Sequence, residues 1–148
     1  QGLRSDYRIE NTGTGDMPLV FALHTTFVRP DYLQIPLELL QEKTDLHIPT
    51  GRYLPLNETE QNLRKGCPGK GVSVSGYYTS AGDTATIGSY RYQAPGFDHW
   101  VLYTDGTDSE FVCVEPQLGK VNTLNDPDNC PQIPAGQALE LTTYIFHT

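Results

Sequence analysis

The sequence has few cysteines, and their arrangement argues against two common uses of this residue. The three cysteines are Cys67, Cys113 and Cys130, an odd number without a C-x-x-C pair. This pattern favours neither a zinc motif nor a disulfide framework. We expect Cys113, which lies in an apolar run, to be a buried thiol. Cys67 and Cys130 are placed in loops, where a bridge between them is the less favoured alternative.

Basic residues and long hydrophobic runs are also scarce. The 148 residues include 10 Lys and Arg against 18 Asp and Glu, for a net charge of −8, and the basic residues are scattered. Phosphate backbones are bound by clustered cations, so we expect no nucleic-acid partner. No run of about 18 apolar residues suggests a membrane span, and no signal-peptide pattern opens the chain. We therefore expect a cytoplasmic protein with no membrane partner.

Glycine and proline are frequent, with 14 and 11 copies, and they separate short runs of alternating polarity. This pattern is typical of an antiparallel all-β domain. One helix is predicted, with Asn57 as its cap and Glu60 completing a capping box. Residues 1–148 show no repeat or linker, so we predict a single β-sandwich domain. The predicted strands lie near 3–10, 17–28, 33–40, 45–49, 71–79, 85–93, 98–104, 110–116 and 138–147.

Three polar residues stand near the ends of separate apolar strands. His24 comes where one face of a strand that looks covered on both sides turns polar, a place where a hydrogen-bonded core histidine is the more common finding. Asp98 follows a Pro-Gly turn, where a turn-stabilising role is common.

Glu115 shares a strand face with two apolar side chains, and Pro116 is expected to end pairing on one edge. The alternative for Glu115 is a strand-end carboxylate that faces solvent or an arginine. Strand ends of a sandwich can converge on one rim, and a histidine acid with a glutamate base is a workable proton-transfer pair near neutral pH.

Short motifs follow one another in a fixed order along most of the chain. Each is only moderately specific, but their order and spacing are similar to those of the aldose 1-epimerase family, the galactose mutarotases. The motifs are YRIEN at 7–11, HTTF at 24–27, IPTG at 48–51, GFDH at 96–99, VCVEPQ at 112–117 and PAG at 134–136.

The resemblance implies a large antiparallel sandwich of the galactose mutarotase type (a supersandwich) with a sugar cleft and no cofactor. His24 matches the family's general acid, Glu115 its general base, and Asp98 an aspartate that binds sugar hydroxyls. The implied reaction interconverts the α and β anomers of a free monosaccharide of the glucose or galactose class. Aromatic candidates for the sugar ring are Trp100, Tyr77, Tyr78 and Tyr90.

Two features depart from the family pattern. Thr25 and Thr26 follow the histidine, where the family usually has a tyrosine or similar residue. Family members are also roughly twice as long, and their N-terminal half supplies an arginine and a second histidine that have no match here. We therefore expect the chain, which does not begin with Met, to be the C-terminal half of the fold. A half-sandwich exposes sheet edges, so we expect either homo-oligomers or dependence on the missing half.

Three other functions stay open. A carbohydrate-binding module would use the same sandwich without chemistry. An epimerase of phosphorylated sugars would need cations near the site, and Arg29, Arg91 and Lys120 are near the motifs but form no cluster. A purely structural domain would leave the ordered His, Asp and Glu motifs unexplained.

Overall fold

The computed structural model describes residues 1–148, and most of the ordered backbone is strand. One α-helix, α1, spans Glu58–Lys65, and a short 3-10 helix spans Thr123–Asn125. The strands are β1 Gly2–Glu10, β2 Met17–Pro18, β3 Phe21–Ala22, β4 Thr26–Val28, β5 Tyr32–Gln34, β6 Leu37–Lys43, β7 Pro49–Pro55, β8 Cys67–Pro68, β9 Ser75–Ser80, β10 Thr84–Ile87, β11 Tyr90–Gln93, β12 His99–Tyr103, β13 Phe111–Leu118, β14 Gln132–Ile133 and β15 Ala138–His147.

The strands form two large antiparallel sheets and one small one. The six-stranded sheet has the order β1-β15-β11-β10-β5-β8, and the seven-stranded sheet has the order β3-β13-β12-β9-β6-β7, with β4 also paired to β13. Strands β14 and β2 form a separate pair. The predicted all-β antiparallel sandwich is confirmed.

The core lies between the two large sheets and is closed by aromatic contacts. Tyr92 of β11 and Trp100 of β12 meet edge to face, with ring centroids 6.0 Å apart, and each is 1% exposed. Buried aromatic rings contribute large apolar areas, and this edge-to-face geometry is favourable beyond the area alone. The Trp100 indole N–H donates to Ser80 Oγ at 3.0 Å, so its one polar atom is satisfied. Alternate residues of β12 and β13 therefore face the core, and the residues between them face away from it.

Helix α1 begins as the sequence predicts. The Asn57 side chain accepts the Glu60 backbone N–H at 3.0 Å, and the Glu60 carboxylate accepts the Asn57 N–H at 2.8 Å. The same carboxylate accepts the Tyr78 hydroxyl at 2.9 Å, which ties the helix to β9 of the seven-stranded sheet. No helix in the structure combines the length and the hydropathy that a membrane span needs.

The region 17–28 differs most from its predicted form. It is not one strand but three short ones, β2, β3 and β4, although its side chains still alternate between inward and outward positions. The prediction that both faces of this segment are covered is wrong, because Val20 is exposed and Val28 is 85% exposed. His24 lies on this outward face, so it is not a core histidine.

Other strand boundaries also moved. The strand predicted at 45–49 lies at Pro49–Pro55, since a turn with His47 at φ 60° occupies its first residues. Strand β13 does not stop at Pro116 but continues to Leu118, with Pro116 opposite Trp100 of β12. Cys67, Cys113 and Cys130 are free thiols, so the alternative of a bridge is not realised.

The capping box gives a direct test of how α1 is held. Replacing Asn57 by alanine removes the acceptor for the Glu60 N–H, and we expect a loss of about 0.5–2 kcal/mol of unfolding free energy, measured by urea denaturation. Asn62→Ala, at an exposed position of the same helix, is the control. Because alanine favours helix more than asparagine does, this control should not destabilise the protein. Equal losses in the two variants would show that the cap contributes nothing.

Candidate active site

The candidate site lies on the face of the seven-stranded sheet that is turned away from the core. Glu115 of β13 is paired with Val101 of β12, which is paired in turn with Tyr77 of β9. Gln117, His99 and Thr79 form the next row in the same way. Because paired residues of antiparallel strands share a face, all six side chains project from one surface.

His24 reaches this surface from the broken edge of the sheet. It lies between β3 and β4, which both pair with β13. The Leu23 N–H donates to the Pro116 carbonyl at 3.1 Å, and the Val114 N–H donates to the Thr25 carbonyl at 2.9 Å. These two backbone bonds on either side of His24 hold it opposite Glu115, and its Nε2 lies 3.4 Å from Glu115 Oε1.

The two members of this pair lie in different surroundings. The His24 side chain is 75% exposed and the Glu115 side chain only 10%. Burial raises the pKa of Glu115 above its usual value, and the nearby His24 offsets only part of this effect. No hydrogen bond in the structure is donated to the Glu115 carboxylate. The site thus presents a partly desolvated carboxylate beside an accessible imidazole, an arrangement that can move protons.

Asp98 does not contact either member of the pair. Its Oδ1 accepts the Gly119 N–H at 2.8 Å and lies 2.8 Å from His99 Nδ1. Burial raises the pKa of Asp98, but the bonds from His99 and Gly119 outweigh it and leave the pKa below its usual value. Asp98 precedes His99, so it lies three residues along β12 from the level of Glu115, about 10 Å away at strand spacing. No hydrogen bond uses its Oδ2, and the side chain is 55% exposed.

His99 is a site residue that the sequence analysis did not single out. Its ring is 11% exposed, and its Nε2 is buried without a hydrogen-bond partner. It is the diagonal neighbour of Glu115 across the β12–β13 pair. The alternation that places Glu115 on the outer face places His99 there as well, so the signal was present in the sequence.

The four aromatic candidates differ in whether they lie on the face of Glu115. Trp100 and Tyr78 are buried in the core and cannot contact a ligand, and Tyr90 lies on the six-stranded sheet. Of the four candidates, only Tyr77 shares the face of Glu115. The Lys43 ammonium lies 5.1 Å from the centroid of the Tyr77 ring.

Each basic candidate for a phosphate site is either engaged elsewhere or remote from Glu115. The Arg29 guanidinium donates to four backbone carbonyls, at 2.7 to 3.1 Å. Lys120 is paired with Asp126. Arg91 belongs to β11 of the six-stranded sheet, on the other side of the core. None of the three provides the free cation that a phosphorylated sugar would need at Glu115.

Cys113 adds a thiol to the pair. It lies two residues before Glu115 on the same face and is 3% exposed. One ligand atom each from His24, Cys113 and Glu115 fall within 4.8 Å of one another. These three side chains are therefore the group in this site that has the geometry to hold a metal ion.

Comparison with solved structures identifies this arrangement of strands. A galactose mutarotase-like protein from Clostridium acetobutylicum superposes with a TM-score of 0.82 at 14% identity over 97% of this chain. An aldose epimerase homologue from C. elegans gives 0.72 at 12% identity over 99%. A galactose mutarotase-like protein from Lactobacillus casei gives 0.69 at 16% identity over 96%. The chain has the galactose mutarotase fold.

The likeness to mutarotases inferred from the motifs is confirmed at the level of the fold. The chain spans about half of each solved structure, namely 51%, 56% and 57% of their lengths. No protein-family model matches the sequence, and neither does any curated protein sequence.

The burial of Glu115 predicts a pH-dependent gain in stability when its charge is removed. A carboxyl group whose pKa is raised in the folded state stabilises the fold at low pH, and this contribution is lost as the pH rises through the folded-state pKa. Glu115→Gln should therefore raise the melting temperature at pH 7 by about 2–4 °C, the shift that roughly 1 kcal/mol gives at this chain length. The gain should vanish towards pH 4.

Thermal unfolding followed by circular dichroism at both pH values measures this difference. Glu110→Gln, at an exposed position, is the control and should show no pH-dependent gain. A destabilised Glu115→Gln protein at pH 7 would contradict the desolvation of this carboxylate.

Proposed function

We propose that this protein is an aldose 1-epimerase that interconverts the α and β anomers of a free hexose. The observation that carries the proposal is the pairing of His24 Nε2 with Glu115 Oε1 at 3.4 Å, on the outer face of a mutarotase-type sheet. The reaction requires one group to remove a proton and another to supply one, and this pair offers both.

The ring opens by two proton transfers. Ionised Glu115 takes the proton of the C1 hydroxyl while protonated His24 donates one to the ring oxygen, and the bond between C1 and the ring oxygen breaks. The aldehyde then turns about its C1–C2 bond. On closure the hydroxyl formed from the ring oxygen attacks the other face of C1. Its proton returns to His24, and Glu115 returns its proton to the oxygen on C1. Both groups end as they began, so no cofactor is consumed.

The charges of the pair suit this exchange. A protonated His24 favours the ionised form of the neighbouring Glu115 carboxylate and so opposes part of the rise in its pKa. The raised pKa of Glu115 also brings its basicity closer to neutral pH, where general bases are most effective. An acid or a base placed in this way contributes about 10²–10⁴-fold to the rate.

Asp98 is proposed to hold the sugar rather than to react with it. Its low pKa keeps it ionised, and its free Oδ2 can accept sugar hydroxyls. At about 10 Å along the strand from the level of Glu115, Asp98 would hold hydroxyls away from C1 and so keep C1 in place. Tyr77, on the same face, is proposed to contact the apolar side of the ring.

One observation favours a second candidate, a carbohydrate-binding module without catalysis. The His24 side chain is 75% exposed, so in this half-length chain no second wall shields the pair from water. Isothermal titration with galactose or glucose measures binding, and the relaxation of optical rotation measures anomer exchange. A module would bind the sugar without accelerating the exchange.

The proposal predicts large losses from two conservative substitutions. Glu115→Gln and His24→Asn each remove one proton-transfer group, and each should lower the catalysed rate about 10²–10⁴-fold. The rate is measured as the relaxation of optical rotation of fresh α-glucose or α-galactose with the full-length protein.

Two exposed residues away from the pair supply matched controls. Glu110→Gln and His147→Asn make the same chemical changes at exposed positions, and both should retain the full rate. An undiminished rate in Glu115→Gln or in His24→Asn would refute the assigned roles.

A further inference from the structure

The outer face of the seven-stranded sheet brings together three side chains of metal-binding type from distant parts of the sequence. Cys113 and Glu115 are alternate residues of β13, and His24 arrives from the segment between β3 and β4. Their ligand atoms lie within 4.8 Å of one another. We propose that His24, Cys113 and Glu115 bind a zinc ion.

The spacing suits tetrahedral zinc after a small movement. Zinc lies about 2.0–2.3 Å from imidazole, carboxylate and thiolate ligands, which places the ligand atoms about 3.3–3.8 Å from each other. The His24 and Glu115 atoms are already 3.4 Å apart. The ligand atom of Cys113 lies within 4.8 Å of the other two, and the exposed His24 ring can turn to close the remaining distance. Three protein ligands leave a fourth position for water.

The ligand set favours zinc over magnesium and calcium. Thiolate and imidazole are poor ligands for magnesium and calcium, which prefer oxygen, and good ones for zinc. On binding, the Cys113 thiol loses its proton to solvent, and so does His24 where it is protonated, because zinc binds the thiolate and the neutral imidazole. The thiolate and the Glu115 carboxylate then balance the two positive charges of the ion, so the occupied site carries no net charge.

A hydrogen-bond partner for the thiolate is already present. Thr26 Oγ1 lies 3.4 Å from Cys113 Sγ and can donate its hydroxyl proton to the sulfur once the thiol is ionised. Partners of this kind orient metal ligands and increase their affinity. Zinc would also satisfy the Glu115 carboxylate, which receives no hydrogen bond from the protein.

Zinc at this position regulates the site rather than serving its chemistry. This consequence rests on the proposed function, because the ion would occupy the lone pairs of Glu115 and His24 that proton transfer requires. We therefore infer reversible inhibition by zinc that competes with the sugar.

Cobalt(II) is the probe for the site, because a bound thiolate gives it a charge-transfer absorption in the near ultraviolet. Titration of the full-length protein should give a saturable band at one cobalt per chain, and zinc should displace it. Cys113→Ser should abolish the band. His24→Ala, at an exposed position, should weaken cobalt binding at least about tenfold, because losing even a hydrogen-bond partner of a metal ligand typically costs about 10–100-fold.

The other two cysteines supply the controls. Cys67→Ser and Cys130→Ser should keep the band, and circular dichroism checks that each variant is folded. No saturable band, a band that survives in Cys113→Ser, or an unchanged cobalt affinity in His24→Ala would overturn the metal site.

A separate readout distinguishes this inference from the proposed function. Zinc should slow anomer exchange in Cys130→Ser as in the unchanged protein, and the ratio of rates without and with zinc should fall in Cys113→Ser. Zinc that binds without slowing the reaction would overturn the inhibition. A protein that gives the band on cobalt titration, but catalyses no anomer exchange before any metal is added, would instead overturn the proposed function.

Discussion

Strand β13 is paired along both of its edges, and this pairing fixes where every candidate site residue lies. Its buried side chains Val112 and Val114 point into the core, so Cys113, Glu115 and Gln117 must point away from it. One edge is held by the continuous strand β12. The other is held by two short strands with a gap, and the exposed His24 fills that gap. A shift of one residue in this pairing would send Glu115 into the core and dissolve the site.

The site combines a cost in stability with a chemical use. A carboxylate that is 10% exposed and receives no hydrogen bond opposes folding at neutral pH. The same desolvation makes it a stronger base near pH 7 and leaves its lone pairs available to a ligand. A sugar hydroxyl and a zinc ion are two ligands that would satisfy it, and both would use the opening where His24 is exposed. Competition between them follows from the geometry of one carboxylate.

The sequence predicted the parts of this structure that local rules govern. Alternation in β13 placed Glu115 on one face with Phe111 and Cys113, and the Asn57–Glu60 spacing located the helix start. That this face is turned away from the core became clear only from the structure. The break at His24 was not predictable, because it depends on how three short strands pair with β13. The proposed zinc ligands were not predictable from the sequence for a related reason. They are not a local motif such as C-x-x-C, and only the folded sheet brings Cys113 next to His24.

The central claim is that His24 and Glu115 act as one proton-transfer unit, and a double-mutant cycle tests it most directly. Residues that act together give strongly non-additive losses, since either single change already disables the unit. The rate of anomer exchange by full-length protein carrying both His24→Asn and Glu115→Gln should thus be no lower than that of the slower single variant. If the rate loss of the double variant equals the product of the two single losses, the two groups act independently, and the account is contradicted.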